Sequence, residues 1–148
     1  MKTAIVTSVS KKYFHLAEEL VDSINRFPES KNISICFLDN GLDNDQVNKI
    51  SKKIYCIKKS YPISDKYKNL DKIHYENLFL PEYFPEFDKF IHIDSDAWLN
   101  SWYAIDFLKK AKNRIDEDEK EKEKQEEAAG GGKDKEQEDE EGESMSQA

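Results

Sequence analysis

The sequence predicts an α/β domain, with a Rossmann-like and mostly parallel sheet flanked by helices, followed by a disordered C-terminal tail. Short apolar runs alternate with amphipathic stretches through residues 1–115, which is typical of parallel βαβ units. From residue 116 onward there is no Val, Ile, Leu or aromatic residue, so the chain cannot bury apolar surface to offset the entropy of ordering. We therefore place the domain at residues 1–115 and an acidic low-complexity tail at residues 116–148.

The charge of the chain is concentrated in this tail. Its 15 acidic residues against 5 lysines give it a net charge of −10, which leaves residues 1–115 at +2 within the total of −8. A nearly neutral domain without a basic stripe argues against a nucleic-acid partner. Glu and Lys side chains four residues apart also allow residues 116–129 to continue the preceding helix, exposed to solvent.

Four strands and four helices can be assigned in order. The predicted strands are Ala4–Val6, Ile33–Leu38, Ile54–Ile57 and Lys89–Ile93. The helices are indicated by apolar residues three and four positions apart, namely Leu16, Ala17, Leu20, Val21 and Ile24; Val47 and Ile50 after an N-cap at Asp43; Tyr67, Leu70, Ile73 and Leu78 within about 66–78; and Ile105 with Leu108. We expect Pro81 and Pro85 to bracket an aromatic-rich connection.

The cysteines and the N-terminus give weaker indications. Cys36 and Cys56 lie inside apolar runs, which favours small core residues over a disulfide or a metal pair. The apolar stretch after Met1 is too short for a signal peptide, and no run is long enough to span a bilayer. We expect a cytoplasmic protein, and a peripheral membrane association stays open.

Polar residues follow three of the predicted strands. Thr7 and Ser8 come after the first, Asp39 after the second, and Asp94 to Asp96 after the fourth. Ligands of parallel sheets bind beyond the carboxyl ends of the strands. We therefore expect these groups to converge on one site.

The triplet Asp94-Ser95-Asp96 is the strongest candidate for chemistry within that site. Two carboxylates beside each other at the end of a buried strand repel, and they are costly to desolvate. A divalent cation relieves both costs, because Mg²⁺ and Mn²⁺ prefer hard oxygen ligands and are completed by water and substrate phosphates. The alternative is a helix cap or a solvated turn, for which a lone Asp-x-Asp is common.

Residues 71–108 resemble glycosyltransferases of the GT-A fold, especially family eight, the glycogenin and galactosyltransferase-like enzymes. The family has an apolar strand that ends in Asp-x-Asp and follows a Leu-Pro…Pro segment and an Asp-Lys pair. Here these features are Leu80-Pro81, Pro85 and Asp88-Lys89. The opening residues 3–24 resemble the family's first strand, loop and helix, so the similarity extends over roughly residues 3–112.

The resemblance implies a metal-dependent, retaining transfer of a sugar from a UDP-sugar to a saccharide, lipid-linked or protein acceptor that the sequence does not identify. By position, Asp94 would contact the ribose and the Mn²⁺ or Mg²⁺ ion, and Asp96 would hold the ion. The other donor-site positions that it implies are Thr7, Ser8 and Val9 for the nucleoside, Tyr13 and Asp39 for the base, and Lys72 for the phosphates. The family's acceptor-binding part and its downstream His ligand have no counterpart after Asn113. The resemblance therefore covers only the N-terminal, donor-binding half of the family's fold.

Alternatives remain for several of these residues. Tyr13 suits packing of its helix, Asp39 suits the turn before Gly41, and Lys72 suits a solvated helix surface. For His92 we favour a core histidine with satisfied hydrogen bonds over a ligand, and for Trp98 and Trp102 we favour packing over a sugar-binding platform. The competing function is a catalytically inactive nucleotide- or metal-binding remnant, or an interaction protein that acts through its acidic tail.

Overall fold

The computed structural model describes residues 1–62, 65–69 and 71–130. A parallel four-stranded sheet with the order β3-β2-β1-β4 is flanked by helices, which confirms the predicted α/β fold class. The strands are β1 (Thr3–Val9), β2 (Ser34–Asp39), β3 (Cys56–Lys59) and β4 (Lys89–His92). The α-helices are α1 (Phe14–Asn25), α2 (Asn44–Ile50), α3 (Lys72–Asn77), α4 (Leu80–Tyr83) and α5 (Tyr103–Gly130), and short 3-10 helices cover Lys11–Tyr13, Pro28–Asn32 and Asp65–Tyr67.

Strand β1 is longer than the sequence predicts. Thr7, Ser8 and Val9 belong to the strand and not to a loop, because they pair in register with the last three residues of β2. Asp39 is likewise the last residue of β2. Strand β3 lies two residues later than predicted, since Lys58 and Lys59 pair with the end of β2.

Alternate residues of the central strands face two separate cores. Ile5 of β1 and Phe37 of β2 pack on the side of the sheet that α1 covers, where Leu20 and Ile24 are buried. Val6 and Leu38 face the other side, with residues from Leu80 to Phe87. This alternation is the normal consequence of the strand's two-residue period. It also determines which polar residues of β1 reach which side of the sheet.

The predicted cap of helix α2 is confirmed. The Asp43 carboxylate accepts a hydrogen bond from the Gln46 backbone N–H at 2.8 Å, and the Gln46 side chain accepts one from the Asp43 N–H. This capping box satisfies two of the donors that a helix N-terminus leaves free. The backbone hydrogen bond from Gln46 also lowers the pKa of Asp43.

The segment predicted as one helix over residues 66–78 is divided. It consists of a 3-10 turn at Asp65–Tyr67 and helix α3, which begins only at Lys72, while Leu70 lies outside the described residues. Leu78 follows the end of α3 and is 61% exposed, so its predicted place on a buried stripe is wrong. The predicted connection after it contains helix α4. The first turn of α4 accommodates Pro81, because an N–H in the first turn of a helix has no partner within the helix and proline has no N–H.

Residues Met1–Asp106 form one compact unit, and a second unit begins at Phe107. Within the second unit, helix α5 continues to Gly130, and its residues from Glu117 onward are exposed. This is the helical extension that Glu and Lys spacing allows, and the disorder predicted for residues 116–148 stays a prediction. No helix in the part of the chain that the structure describes is both long and apolar enough to cross a membrane.

Candidate functional site

A cavity of about 510 Å³ lies at the carboxyl ends of β1 and β4. This volume is in the range of small-molecule sites, and the position is the one at which parallel α/β sheets bind ligands. Eleven residues line it, namely Ser8, Val9, Ser10, Tyr13, Asn40, Lys72, Glu76, His92, Asp94, Ser95 and Asp96. The sheet therefore brings together six predicted site residues, which are Ser8, Val9, Tyr13, Lys72, Asp94 and Asp96.

The β1 side of the cavity is built from Ser8 and Glu76. The Ser8 hydroxyl donates to one carboxylate oxygen of Glu76, and the Ser60 hydroxyl donates to the other, both at 2.5 Å. Ser60 is held beside the end of β2, because its N–H donates to the Asp39 carbonyl at 3.0 Å. Glu76 is itself completely buried. These hydrogen bonds connect helix α3 to the ends of two strands.

The β4 end of the cavity, residues 94–96, is open to solvent. The Asp94 side chain is 70% exposed, Asp96 is exposed as well, and neither carboxylate accepts a hydrogen bond from a described residue. A cation is well suited to such a donor pair, since Mg²⁺ typically binds one or two carboxylates and keeps water and phosphate oxygens as its other ligands. Within residues 1–62, 65–69 and 71–130, no three His, Cys, Asp or Glu side chains come together as a metal site. Two carboxylates are therefore the protein ligands that this end offers.

Two buried polar atoms in the lining have no hydrogen-bonding partner among the described residues. They are Nε2 of His92 and Oδ1 of Asn40. Buried polar atoms are normally satisfied, so unpaired ones in a cavity indicate a place for a ligand or water. The prediction that His92 is a core histidine with satisfied hydrogen bonds is therefore wrong. His92 is the last residue of β4, and its side chain lines the cavity.

The pKa of His92 is affected by carboxylates from both ends of the cavity. Burial lowers its pKa, whereas the negative charges of Asp94 and Glu76 act in the opposite direction. Its Nδ1 atom lies 3.7 Å from Oδ1 of Asp94. The ring therefore lies close enough to both carboxylates to respond to each of them.

Tyr13 and Lys72 come from elements that border the cavity. Tyr13 ends the 3-10 turn after β1, is 46% exposed, and has the Lys12 ammonium 5.5 Å from its ring centroid. An exposed aromatic ring at a cavity rim is available for stacking. Lys72 is the first residue of α3 and half-buried, one turn before Glu76.

Thr7 and Asp39 do not line the cavity. Strand alternation directs Thr7 to the side of the sheet opposite Ser8, where it is buried. The Asp39 carboxylate accepts hydrogen bonds from the N–H groups of Gly41 and Leu42 at 2.9 and 2.7 Å. Gly41 has a φ of +118°, which few other residues tolerate, so Asp39 has the turn-shaping contacts of its alternative reading.

Glu76, Ser10, Asn40 and Ser95 also line the cavity and are not among the predicted site residues. For Glu76 a signal was present, because it is four residues after Lys72 and three after Ile73 and therefore falls within the predicted apolar stripe. A charged residue on such a stripe is a reason to search for a buried site. For Asn40 and Ser10 the pattern around them is that of an ordinary turn.

Comparisons with known proteins give a structural likeness only. No protein-family model matches the chain, and no curated protein matches it. Among solved structures, an active-site mutant of LgtC superposes with a TM-score of 0.52 and 17% sequence identity. The galactosyltransferase LgtC in complex with donor and acceptor sugar analogues gives 0.51 at the same identity.

Each match extends over 69% of this chain and 41% of the LgtC chain. At this identity the likeness establishes the fold and does not by itself establish an activity. Residues 1–106 thus contain a parallel α/β sheet that is shared with part of a glycosyltransferase, and a cavity at its carboxyl edge. The chemistry of that cavity has to be argued from its own residues.

Proposed function

We propose that this protein binds a nucleoside diphosphate sugar, specifically a UDP-sugar, as the donor portion of a metal-dependent glycosyltransferase. The observation that supports it most is the meeting of Asp94 and Asp96 with Ser8, Tyr13 and Lys72 around one cavity. These residues supply the types of group that a nucleotide requires, namely carboxylates for a cation, a lysine for phosphates and an aromatic ring for a base.

The roles follow from the position of each group. Asp94 and Asp96 would hold Mn²⁺ or Mg²⁺, and the bound ion would offset negative charge on the departing diphosphate. Lys72 would contact the diphosphate as a point charge. Ser8 and Val9 would contact the nucleoside, against which Tyr13 would stack. The chain corresponds to less than half of the LgtC chain, so the acceptor and the transfer step itself are part of the proposal.

Calorimetric titration of UDP into the protein tests the donor site. We expect binding in the presence of Mn²⁺ and its loss on addition of EDTA. The double variant Asp94→Ala/Asp96→Ala should weaken Mn²⁺-dependent binding by about 100-fold or more, because ligands of a catalytic cation contribute several kcal/mol. Asp45→Ala is the matched control, since Asp45 is an exposed aspartate outside the cavity.

Thermal unfolding gives an independent measurement. UDP with Mn²⁺ at 100 times its dissociation constant should stabilise the fold by about 2.7 kcal/mol. If a folded wild-type sample binds no UDP with Mn²⁺, the donor-site proposal is wrong. Release of UDP from UDP-sugars in the presence of candidate acceptors then distinguishes a transferase from a protein that only binds the donor.

A further inference from the structure

The buried carboxylate of Glu76 has no role in the donor site described above. Its residue is 0% exposed, and its side chain nevertheless forms part of the cavity lining. Burying a carboxylate costs several kcal/mol unless hydrogen bonds and an opposite charge compensate it. The position therefore needs a reason beyond packing.

Among the described residues, the contacts of Glu76 satisfy its two carboxylate oxygens with hydrogen bonds but bring no opposite charge to it. Both carboxylate oxygens accept hydroxyl hydrogens, from Ser8 and Ser60. No ion pair connects Glu76 to any residue in the described ranges. The lysine of α3 is Lys72, one turn earlier, and no ion pair between it and Glu76 is found among the described residues.

The charge of Glu76 is close to the place that the cation and the diphosphate would occupy. Glu76 lines the same cavity as Asp94 and Asp96, and His92, which also lines it, has its Nδ1 atom 3.7 Å from Oδ1 of Asp94. Among the described lining residues, three are carboxylates, and Lys72 is the one lysine. A bare diphosphate would thus meet a cavity with a net negative charge. A divalent cation bound with the diphosphate would offset that charge.

Glu76 differs from the other two carboxylates in its fixed position. Asp94 and Asp96 are exposed, so water and salt screen their charges. Glu76 is buried and held by two hydrogen bonds, so its field is less screened and cannot be turned away from a ligand.

We propose that Glu76 is a specificity-determining residue that makes nucleotide binding depend on the divalent cation. It disfavours the metal-free nucleoside diphosphate and admits the same molecule as its metal complex. The inference rests on the proposed donor site, and it assigns to Glu76 an electrostatic role that is separate from cation ligation.

The test is calorimetric titration of UDP with Mn²⁺ and with EDTA on wild type, Glu76→Gln and Glu82→Gln. Glu76→Gln keeps the shape and removes the charge, so metal-free UDP should bind about tenfold tighter, within the usual range of coupling between two ligands. The affinity for UDP with Mn²⁺ should stay within about threefold. Glu82→Gln is the matched control, since it makes the same substitution at an exposed glutamate outside the cavity lining and should leave the ratio of the two affinities unchanged.

The outcomes separate this inference from the donor-site proposal. If Glu76→Gln weakens both affinities equally, Glu76 has only a structural role and the inference is overturned. If wild type binds UDP tighter with Mn²⁺ than with EDTA and the ratio of the two affinities is the same in Glu76→Gln, the inference alone is overturned. A wild type that binds UDP equally well in both conditions contradicts the metal dependence of the donor site as well. Absence of all UDP binding overturns the donor site and the inference together.

A second variant covers the case in which Glu76→Gln does not fold. Glu76→Met replaces the carboxylate by an uncharged, flexible apolar side chain of similar length. It should give the same increase in metal-free affinity. An unchanged ratio in Glu76→Met contradicts the inference as firmly as an unchanged ratio in Glu76→Gln.

Discussion

The carboxylates at the two ends of the sheet's carboxyl edge have opposite surroundings. On the side of β1 and β2, Glu76 and Asp39 are buried, and each accepts two hydrogen bonds from serine hydroxyls or backbone N–H groups. At the end of β4, Asp94 and Asp96 are exposed and accept none from described residues. The first pair is used by the fold, whereas the second pair is available to ligands from solution. Stability should therefore depend on the buried pair, and cation ligation on the exposed pair.

The largest stability effect should come from Asp39. Asp39→Ala removes the acceptor for the N–H groups of Gly41 and Leu42, and hydrogen bonds to a charged acceptor contribute about 1.5–3 kcal/mol each. We expect a loss of about 3 kcal/mol in the free energy of unfolding, measured by urea denaturation. Asp39→Asn keeps an oxygen at that position and should lose less than half as much. A loss below about 0.5 kcal/mol in Asp39→Ala would show that the carboxylate does not hold this turn.

Ser60 tests the same side of the comparison with a smaller change. Ser60→Ala leaves one oxygen of the buried Glu76 carboxylate without its donor, which should cost about 2 kcal/mol of unfolding free energy. Ser10→Ala is the matched control, because Ser10 lines the cavity and its side chain does not cap the 3-10 turn that follows. If both variants lose the same stability, the hydrogen bond to Glu76 is not the cause.

His92 gives the comparison a dependence on pH. Burial lowers the pKa of His92 in the folded protein, so the unfolded chain binds a proton more readily. The stability that this contributes is fully present above the unfolded pKa of about 6.5 and is lost as pH falls through the lower folded value. We expect the unfolding free energy of wild type to fall more steeply between pH 7.5 and pH 5 than that of His92→Gln. Parallel profiles for the two proteins would contradict this.

The smallest effect is expected at Asp94 and Asp96. Asp94→Asn/Asp96→Asn should change the unfolding free energy by no more than about 0.5 kcal/mol, because exposed residues without hydrogen bonds contribute little to stability. Urea denaturation without metal measures it. A loss of 2 kcal/mol or more would show that these carboxylates support the fold and would remove the distinction between the two ends of the cavity.

The cysteines show a case in which pattern and structure agree for a simple reason. Cys36 and Cys56 were predicted as small core residues, and the structure has them as free thiols on adjacent strands, with their sulfur atoms 3.7 Å apart. Burial raises the pKa of both thiols, which disfavours the reactive thiolate. An apolar run predicts burial directly, and burial determines this chemistry.

The predictions that failed depend on register. The apolar run around β3 gave no sign that Lys58 and Lys59 belong to the strand, because they pair only once β2 lies beside them. The predicted β1 is too short for the same reason. Ser8 and Val9 follow the apolar run in the sequence, and only their pairing with β2 shows that they belong to the strand. Strand bounds are decided by partners as well as by local composition.

The sequence by itself determined the α/β class, the alternation of strands with helices along the chain, and the position of Asp94-Ser95-Asp96 after an apolar strand, since these follow from local periodicity. Only the tertiary structure decided that Ser8 faces the cavity and Thr7 the opposite side. It also decided that Glu76 meets Ser8 and Ser60, which are 68 and 16 residues away in the chain. The physical reason is that strand register and helix packing set the direction of a side chain, and both depend on contacts between residues that are distant in sequence.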